Sequence, residues 1–401
     1  MLKKDNFFKN YFINLSKYNK NLKKTKKVFS SFIVDLKNNQ IPLLKSYEKN
    51  YEFDFSATTV KKFSKYRNIV VIGMGGSILG TKSIYSFLKK RIKKEVFFFD
   101  NLDLNLSLKY KKIKNLKNSC FIIVSKSGDT LETITNLGII LSENLLKNKL
   151  IIITEITDNA LMTIANKYHA EVIEHKEFIS GRYSVLSETG MFPAALMGLN
   201  LMKFKNLKRL IKNKNFISTL IQNVACIYTL ISKKINNSVI LNYDSNLNNL
   251  GYWYQQLVAE SLGKKSKGII PLVSPMPKDN HSLMQFYLDG SKNSFYTFFS
   301  VLEKKSNKIN NKYLLKSHSY LRNKKLSKII ESQMKATQNV FKRKKIPFRS
   351  FEIFNRNEQT LGELFCFFIL ETILLGRALK VNSFDQPSVE LVKKETKKIL
   401  I

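Results

Sequence analysis

Four short runs rich in β-branched and aromatic residues, at 68–72, 96–99, 121–124 and 150–153, are separated by stretches of roughly helical length. Antiparallel strands can be joined by a tight turn, but parallel neighbours need a crossover of a dozen or more residues, so this spacing predicts βαβ units in a parallel sheet. The runs are apolar without alternation, as strands covered by helices on both faces must be. This first α/β unit closes near Asn206. A second set echoes its rhythm, with an apolar helix around 220–231 and strands at 238–243, 268–273, 295–301 and 351–354. Residues 1 to about 60 read as a Lys-rich helical arm. Residues 303–345 read as a long exposed connection with a helix near 326–341. The chain closes on an apolar helix at 361–378 and a charged helical tail after Pro387.

Length and composition narrow the class. The chain has 401 residues, 44% of them apolar, enough to build the cores of two or three domains. Seven prolines and fifteen glycines without a Gly-X-Y period exclude a fibrous chain. Lys and Arg outnumber Asp and Glu by 68 to 30, which raises nucleic acid or an anionic membrane as partners. The lysines are scattered in pairs, such as Lys61-Lys62 and Lys264-Lys265, rather than gathered into a stripe, so neither partner is expected. Cys120, Cys226 and Cys366 form no paired motif, which argues against a disulfide frame or zinc cluster and fits a reducing, cytoplasmic setting. Charge interrupts the first residues before any seven-residue apolar stretch, against a signal peptide. The longest apolar stretch, 361–379, contains Glu363, Glu371 and Arg377 and reads as a buried helix, not a membrane span.

Chemistry concentrates where strands end. The first strand runs into Gly73-Met74-Gly75-Gly76-Ser77, a turn that lets backbone amides meet an anion at a helix N-terminus, or lets strand and helix pack closely. A dinucleotide fingerprint would need Gly at Ile78, although Asp100 after the next strand suits one, and a P-loop would need one residue fewer before Lys82. The third strand delivers Ser125-Lys126-Ser127-Gly128-Asp129-Thr130, with three hydroxyls, an open glycine and a nearby cation suited to a phosphate. Asp129 and Glu132 resemble a capping box for the following helix. Two such loops at the carboxyl ends of strands in one sheet would converge on one crevice, which points to a small phosphorylated ligand.

Six segments, in order and at suitable intervals, resemble the glucose-6-phosphate isomerase family: 73–77, 125–133, Gly181-Arg182-Tyr183-Ser184 onward, Gln256 through Glu260 to Lys264, Asn280-His281 to Gln285, and Phe384-Asp385-Gln386 to Glu390. The resemblance implies two sugar-isomerase (SIS) domains at 61–206 and 207–380, each a mainly parallel sheet in three αβα layers. An N-terminal helical arm (1–60) and a C-terminal tail (381–401) would complete the chain. It implies no cofactor and no metal. It implies a homodimer whose active site is shared, and reversible isomerisation of glucose 6-phosphate and fructose 6-phosphate. Carried over residue by residue, Gly76, Ser77, Ser125, Lys126, Ser127, Thr130, Gly181, Gln256 and Gln386 would hold substrate. His281 and Lys393 would open the sugar ring, with Lys394 as a one-residue alternative. Glu260 would move the proton between C2 and C1, and Arg182 would face the enediolate. Read from the residues alone, Gln256 and Glu260 share a helix face and the neighbours of Glu260 are apolar, Arg182 could be a surface arginine, and the lone histidines could be structural.

Three rival readings stay open here. A related enzyme acting also on mannose 6-phosphate differs in its products. A non-catalytic sugar-phosphate sensor would keep the phosphate loops without needing Glu260, His281 and Lys393. A nucleic-acid binder would show steeply salt-dependent affinity.

Overall fold

The computed structural model describes residues 15–113, 116–141, 149–302 and 306–401. The first fourteen residues of the expected arm and 303–305 of the expected connection therefore lie outside the described residues. The described residues form two sheets. The first contains β1 (Asn68–Gly73), β2 (Glu95–Phe99), β3 (Ser119–Val124), β4 (Leu150–Thr154) and β5 (Glu171–Glu174) in the order β2-β1-β3-β4-β5. The second contains β6 (Asn237–Asn242), β7 (Ile270–Pro275), β8 (Ser294–Val301) and β9 (Phe348–Ile353) in the order β7-β6-β8-β9. Every strand pairing within the two sheets is parallel. β1, β3 and β4 are buried along their whole length, which is why they read as unbroken apolar runs.

Three cores follow from this layering. The largest lies between the sheets and draws on both, from Ile69 and Val124 on one side to Phe299 and Phe351 on the other. Two smaller cores cover the outer faces. The apolar stretch near the end forms helix Glu358–Leu379, almost wholly buried in the middle, and no described helix is long and apolar enough to cross a membrane. Helix Leu15–Lys37 packs on this helix and on helix Lys214–Ile231, so the N-terminal arm braces the second half of the chain. Helix Asn248–Leu262 packs against helix Gly76–Leu88, where the Ser83 hydroxyl donates to the Asn249 carbonyl at 2.8 Å. That contact carries the second half's helix to the carboxyl end of β1.

Two strands depart from the sequence reading for physical reasons. β5 holds only two apolar residues between two glutamates, and as an edge strand it shows Glu171 to Lys62 across a 2.7 Å ion pair. β9 starts at Phe348, before the expected run, because Arg349 sits inside it. The Arg349 guanidinium is fully buried, which its pairing with the buried Glu371 makes tolerable, while its Nε donates to Thr297 at 3.0 Å.

Candidate active site

β1 and β3 are neighbours with Gly73 beside Val124, so the segments that follow them emerge side by side. The chain leaves β1 toward β2 on one side and returns to β3 on the other, which opens a crevice at their carboxyl ends. Gly75 has a φ of +52°, and a methyl there would meet the Gln256 amide nitrogen at 2.7 Å. A methyl on Gly76 would stand 2.2 Å from the Gly181 carbonyl carbon. These two glycines thus let helix 248–262 and the 3-10 turn Gly181–Leu186 close onto the start of helix 76–88. Ser77, in the first turn of that helix, is half-buried. The acid suited to a dinucleotide, Asp100, is bound to Lys82.

After β3, Ser125 is buried and its hydroxyl bonds that of Thr130 at 2.8 Å. Gly128 takes a φ of +72° directly against Asn159, while Ser127 is exposed. Asp129 corrects the capping-box expectation: its carboxylate accepts from the Ala160 backbone N–H at 2.9 Å, and so serves the start of helix Ala160–Tyr168 rather than its own helix. Lys126 donates to the Glu177 carbonyl at 2.7 Å and pairs with Glu155 at 3.4 Å. Its charge stands beside the loop but is shared with these groups.

The centre of the site is Arg182, which is 2% exposed. All of its nitrogens are engaged. Nε donates to the Ser261 hydroxyl at 2.9 Å, Nη1 to Glu260 at 3.4 Å and to the Gln386 side-chain oxygen at 2.5 Å, and Nη2 to the carbonyls of Ser383 at 2.8 Å and Asp385 at 3.0 Å. A surface arginine is excluded. One guanidinium joins helix 248–262 to the 383–386 loop, which no other rigid fork of donors would do as well. Gln256 donates to the second oxygen of Glu260 at 2.9 Å, as their four-residue spacing requires. The Glu260 side chain remains 26% exposed, so the carboxylate still opens to the crevice.

Partners to which the sequence reading gave no role hold this centre in place. The Tyr183 hydroxyl shares a 2.9 Å bond with Ser261 and donates to the Ser383 carbonyl at 3.0 Å, and burial pushes its pKa up. Lys264 pairs with Asp385 at 2.7 Å, which lowers that carboxyl's pKa. From behind, the Tyr47 hydroxyl donates to the Tyr183 carbonyl at 2.6 Å, and Lys205 donates to the carbonyls of Ser46 at 2.8 Å and Leu186 at 3.3 Å. Burial lowers the Lys205 pKa to about 7. Tyr183 and Ser261 lie next to Arg182 and Glu260 in the chain, within the segments that carry the resemblance, but with no role assigned to them there.

His281 and Lys393 stand outside this network. His281 is exposed in a 3-10 turn, Lys278–His281, beyond the end of β7. Lys393 lies on the exposed helix Val389–Leu400, where it pairs with Glu390 at 2.7 Å. Among the described residues no hydrogen bond or ion pair joins either of them to Arg182 or Glu260, and no group of His, Cys, Asp and Glu is arranged to hold a metal.

Comparison with known proteins shows the family and the fold. The family model of phosphoglucose isomerase matches residues 44–401. A glucose-6-phosphate isomerase of Methanocaldococcus jannaschii is 32% identical over 358 residues, 85% of this chain and 86% of the relative. One from Mycoplasmopsis pulmonis is 32% identical over 357 residues, covering 83% of this chain and 82% of the relative. Among solved structures, a hypothetical protein of Thermus thermophilus shares the fold with a TM-score of 0.80 over 100% of both chains at 23% identity. A glucose-6-phosphate isomerase of Chlamydia trachomatis has a TM-score of 0.71 at 20% identity, covering 86% of this chain and 72% of that one.

Proposed function

The chain belongs to the phosphoglucose isomerase family, and from that premise we propose how its residues perform the reversible isomerisation of glucose 6-phosphate and fructose 6-phosphate. The observation that carries the reading is the Arg182 cluster, which places a buried cation against Glu260 and Gln386 at the mouth of the crevice. Ser77, Ser125, Ser127 and Thr130 hold the phosphate with helix N-terminal amides, and Lys126 adds charge at the rim. Gly76 and Gly181 present backbone to the substrate, and Gln256 and Gln386 bind its hydroxyls.

In the open-chain aldose, the Glu260 carboxylate takes the C2 proton and the electron pair moves into the C1–C2 bond. The aldehyde oxygen becomes an enediolate oxygen facing Arg182. The proton then returns at C1 while the hydroxyl proton passes from O2 to O1, which gives the ketose. A positive charge fixed before the reaction stabilises developing negative charge without reorganisation at the moment of transfer. His281 and Lys393 open the ring.

His281 is exposed at the end of β7, and this supports a homodimer in which it enters the partner's crevice. The two sheets are read as SIS-type domains at 61–206 and 207–380, working in the cytoplasm; the three cysteines are buried free thiols, as suits a reducing compartment.

A coupled assay of fructose 6-phosphate conversion tests the assignment. Glu260→Gln keeps the shape but lacks the base, and its amide can accept from only one of Arg182 and Gln256, so turnover falls by about two to four orders of magnitude with substrate binding retained. Turnover within a few-fold of wild type would remove Glu260 from the role.

A further inference from the structure

The two sheets repeat one plan, and the repeat extends to individual side chains. In each, a central strand is followed by a neighbour on one side and then by the third strand on the other: β1, β2, β3 in the first and β6, β7, β8 in the second. The registers match as well. Asn68 stands opposite Ser119 and Gly73 opposite Val124; correspondingly, Asn237 stands opposite Ser294 and Asn242 opposite Phe299. Even the bond that opens each pair recurs, from the Asn68 amide to the Ser119 hydroxyl at 3.2 Å and from Asn237 to Ser294 at 3.4 Å. By this correspondence the counterpart of Ser125, which follows Val124, is Ser300, which follows Phe299.

Ser125 has Thr130 as its partner. Ser300 is 8% exposed, and among the described residues its hydroxyl meets no hydrogen-bond partner. It lines a cleft of about 1020 Å³ at the carboxyl ends of β6, β8 and β9, under the first turns of helix Leu326–Arg343. The place is the switch point of the second sheet, where an open parallel sheet offers a ligand crevice. Among the described residues, six Lys and Arg line it against three Asp and Glu. Three of these cations are committed to two of the acids, Arg356 to Asp244 and Lys328 with Lys335 to Glu331, and the third acid, Glu352, stands opposite Ser300 in the strand register. Lys324 and Lys325 stand at the rim. A buried hydroxyl without a partner, a surplus of cations and a switch-point cleft together describe a receptor for an oxyanion.

We propose that this cleft is a second anion site, at the strand end that corresponds to Ser125 and suited to the phosphate of a small phosphorylated metabolite. It is separate from the crevice that holds Arg182 and Glu260, so each chain binds two phosphate groups in two sheets.

The test is a titration of inorganic phosphate into the full-length protein by calorimetry, at about 0.15 M salt so that scattered surface lysines are screened. The expected result is two phosphates per chain, of which Ser125→Ala with Thr130→Ala removes one. Lys324→Glu with Lys325→Glu, both exposed, then weakens the remaining site by about tenfold, the effect of two rim charges of about 0.7 kcal/mol each. Ser300→Val, which fills the hydroxyl's place with methyl groups, weakens the same site and leaves the other unchanged. A single phosphate per chain, lost on changing Ser125 and Thr130, would overturn the proposal. So would a second phosphate whose affinity ignores both sets of cleft substitutions. If the Ser125 and Thr130 substitutions change nothing while the cleft substitutions abolish a site, the phosphate-loop assignment fails and the second site stands.

Discussion

Replacing Gly76 by Ala asks what the glycine-rich turn after β1 is for. A methyl there would stand 2.2 Å from the carbonyl carbon of Gly181, 2.4 Å from its oxygen and 2.6 Å from the nitrogen of Arg182. Non-bonded carbons rest about 3.5 Å apart, so the 181–186 turn or the start of helix 76–88 has to retreat by about 1 Å. All three obstructing atoms belong to the backbone, hence no rotamer change relieves them. Helix propensity works the other way, since Ala is favoured over Gly by about 1 kcal/mol in a helix. Overpacking costs about 1–3 kcal/mol, and backbone obstruction puts this case at the upper end, for a net loss of about 2 kcal/mol. The catalytic effect is larger than the loss of stability suggests, because the displaced turn carries Arg182. A misplacement of about 1 Å at a reacting group costs about a hundredfold in turnover. Gly181→Ala is the internal control, since its methyl would lie 3.8 Å from the Gly76 α-carbon, an ordinary contact. Urea unfolding should therefore find Gly181→Ala at or up to about 1 kcal/mol above wild type, while Gly76→Ala falls below it. Equal stability of the two variants, or wild-type turnover in Gly76→Ala, would refute the close-packing account.

Two further predictions concern assembly and acid. In a heterodimer of Glu260→Gln and His281→Asn chains, a shared site collects both lesions once and neither lesion once, so mixing two nearly inactive proteins should restore about half the wild-type rate per heterodimer. Heterodimers shown to form by mass yet no more active than their parents would place each site within one chain. His175 is buried at the end of β5, and desolvation lowers its pKa from 6.5 to about 4, with Lys126 adding repulsion. The unfolded chain therefore takes up this proton first as pH falls, and the native state loses on the order of 3 kcal/mol between pH 6.5 and 4. His175→Gln should remove that part of the acid dependence in unfolding curves; identical slopes for variant and wild type over this range would contradict it.

The parallel strands were legible because burial on both faces leaves a mark that periodicity can detect: β1, β3 and β4 are continuous apolar runs. β5 left no such mark, being a short edge between two glutamates, and Arg349 hid the beginning of β9 because its partner, Glu371, lies in another element. The candidate site divided along the same line. The loops containing Ser125 and Gly76 declared themselves through local chemistry, hydroxyls and glycines at strand ends. Asp129 misled for the complementary reason: a capping box is a local pattern, whereas the backbone N–H it satisfies belongs to Ala160.

Sequence by itself determined the α/β class, the alternation of the buried strands with helices, and the residue types gathered at their ends, because these depend on side-chain periodicity and near-neighbour chemistry. Only the tertiary structure decided that Arg182 is a buried clamp and not a surface charge, since its partners Ser261, Ser383 and Gln386 lie 79 to 204 residues away. Tertiary structure alone likewise decided that Gly75 and Gly76 make room for Gln256 and Gly181. Such pairings are fixed by how two sheets pack across a common core, and no local spacing in the chain encodes a contact that only that packing brings about.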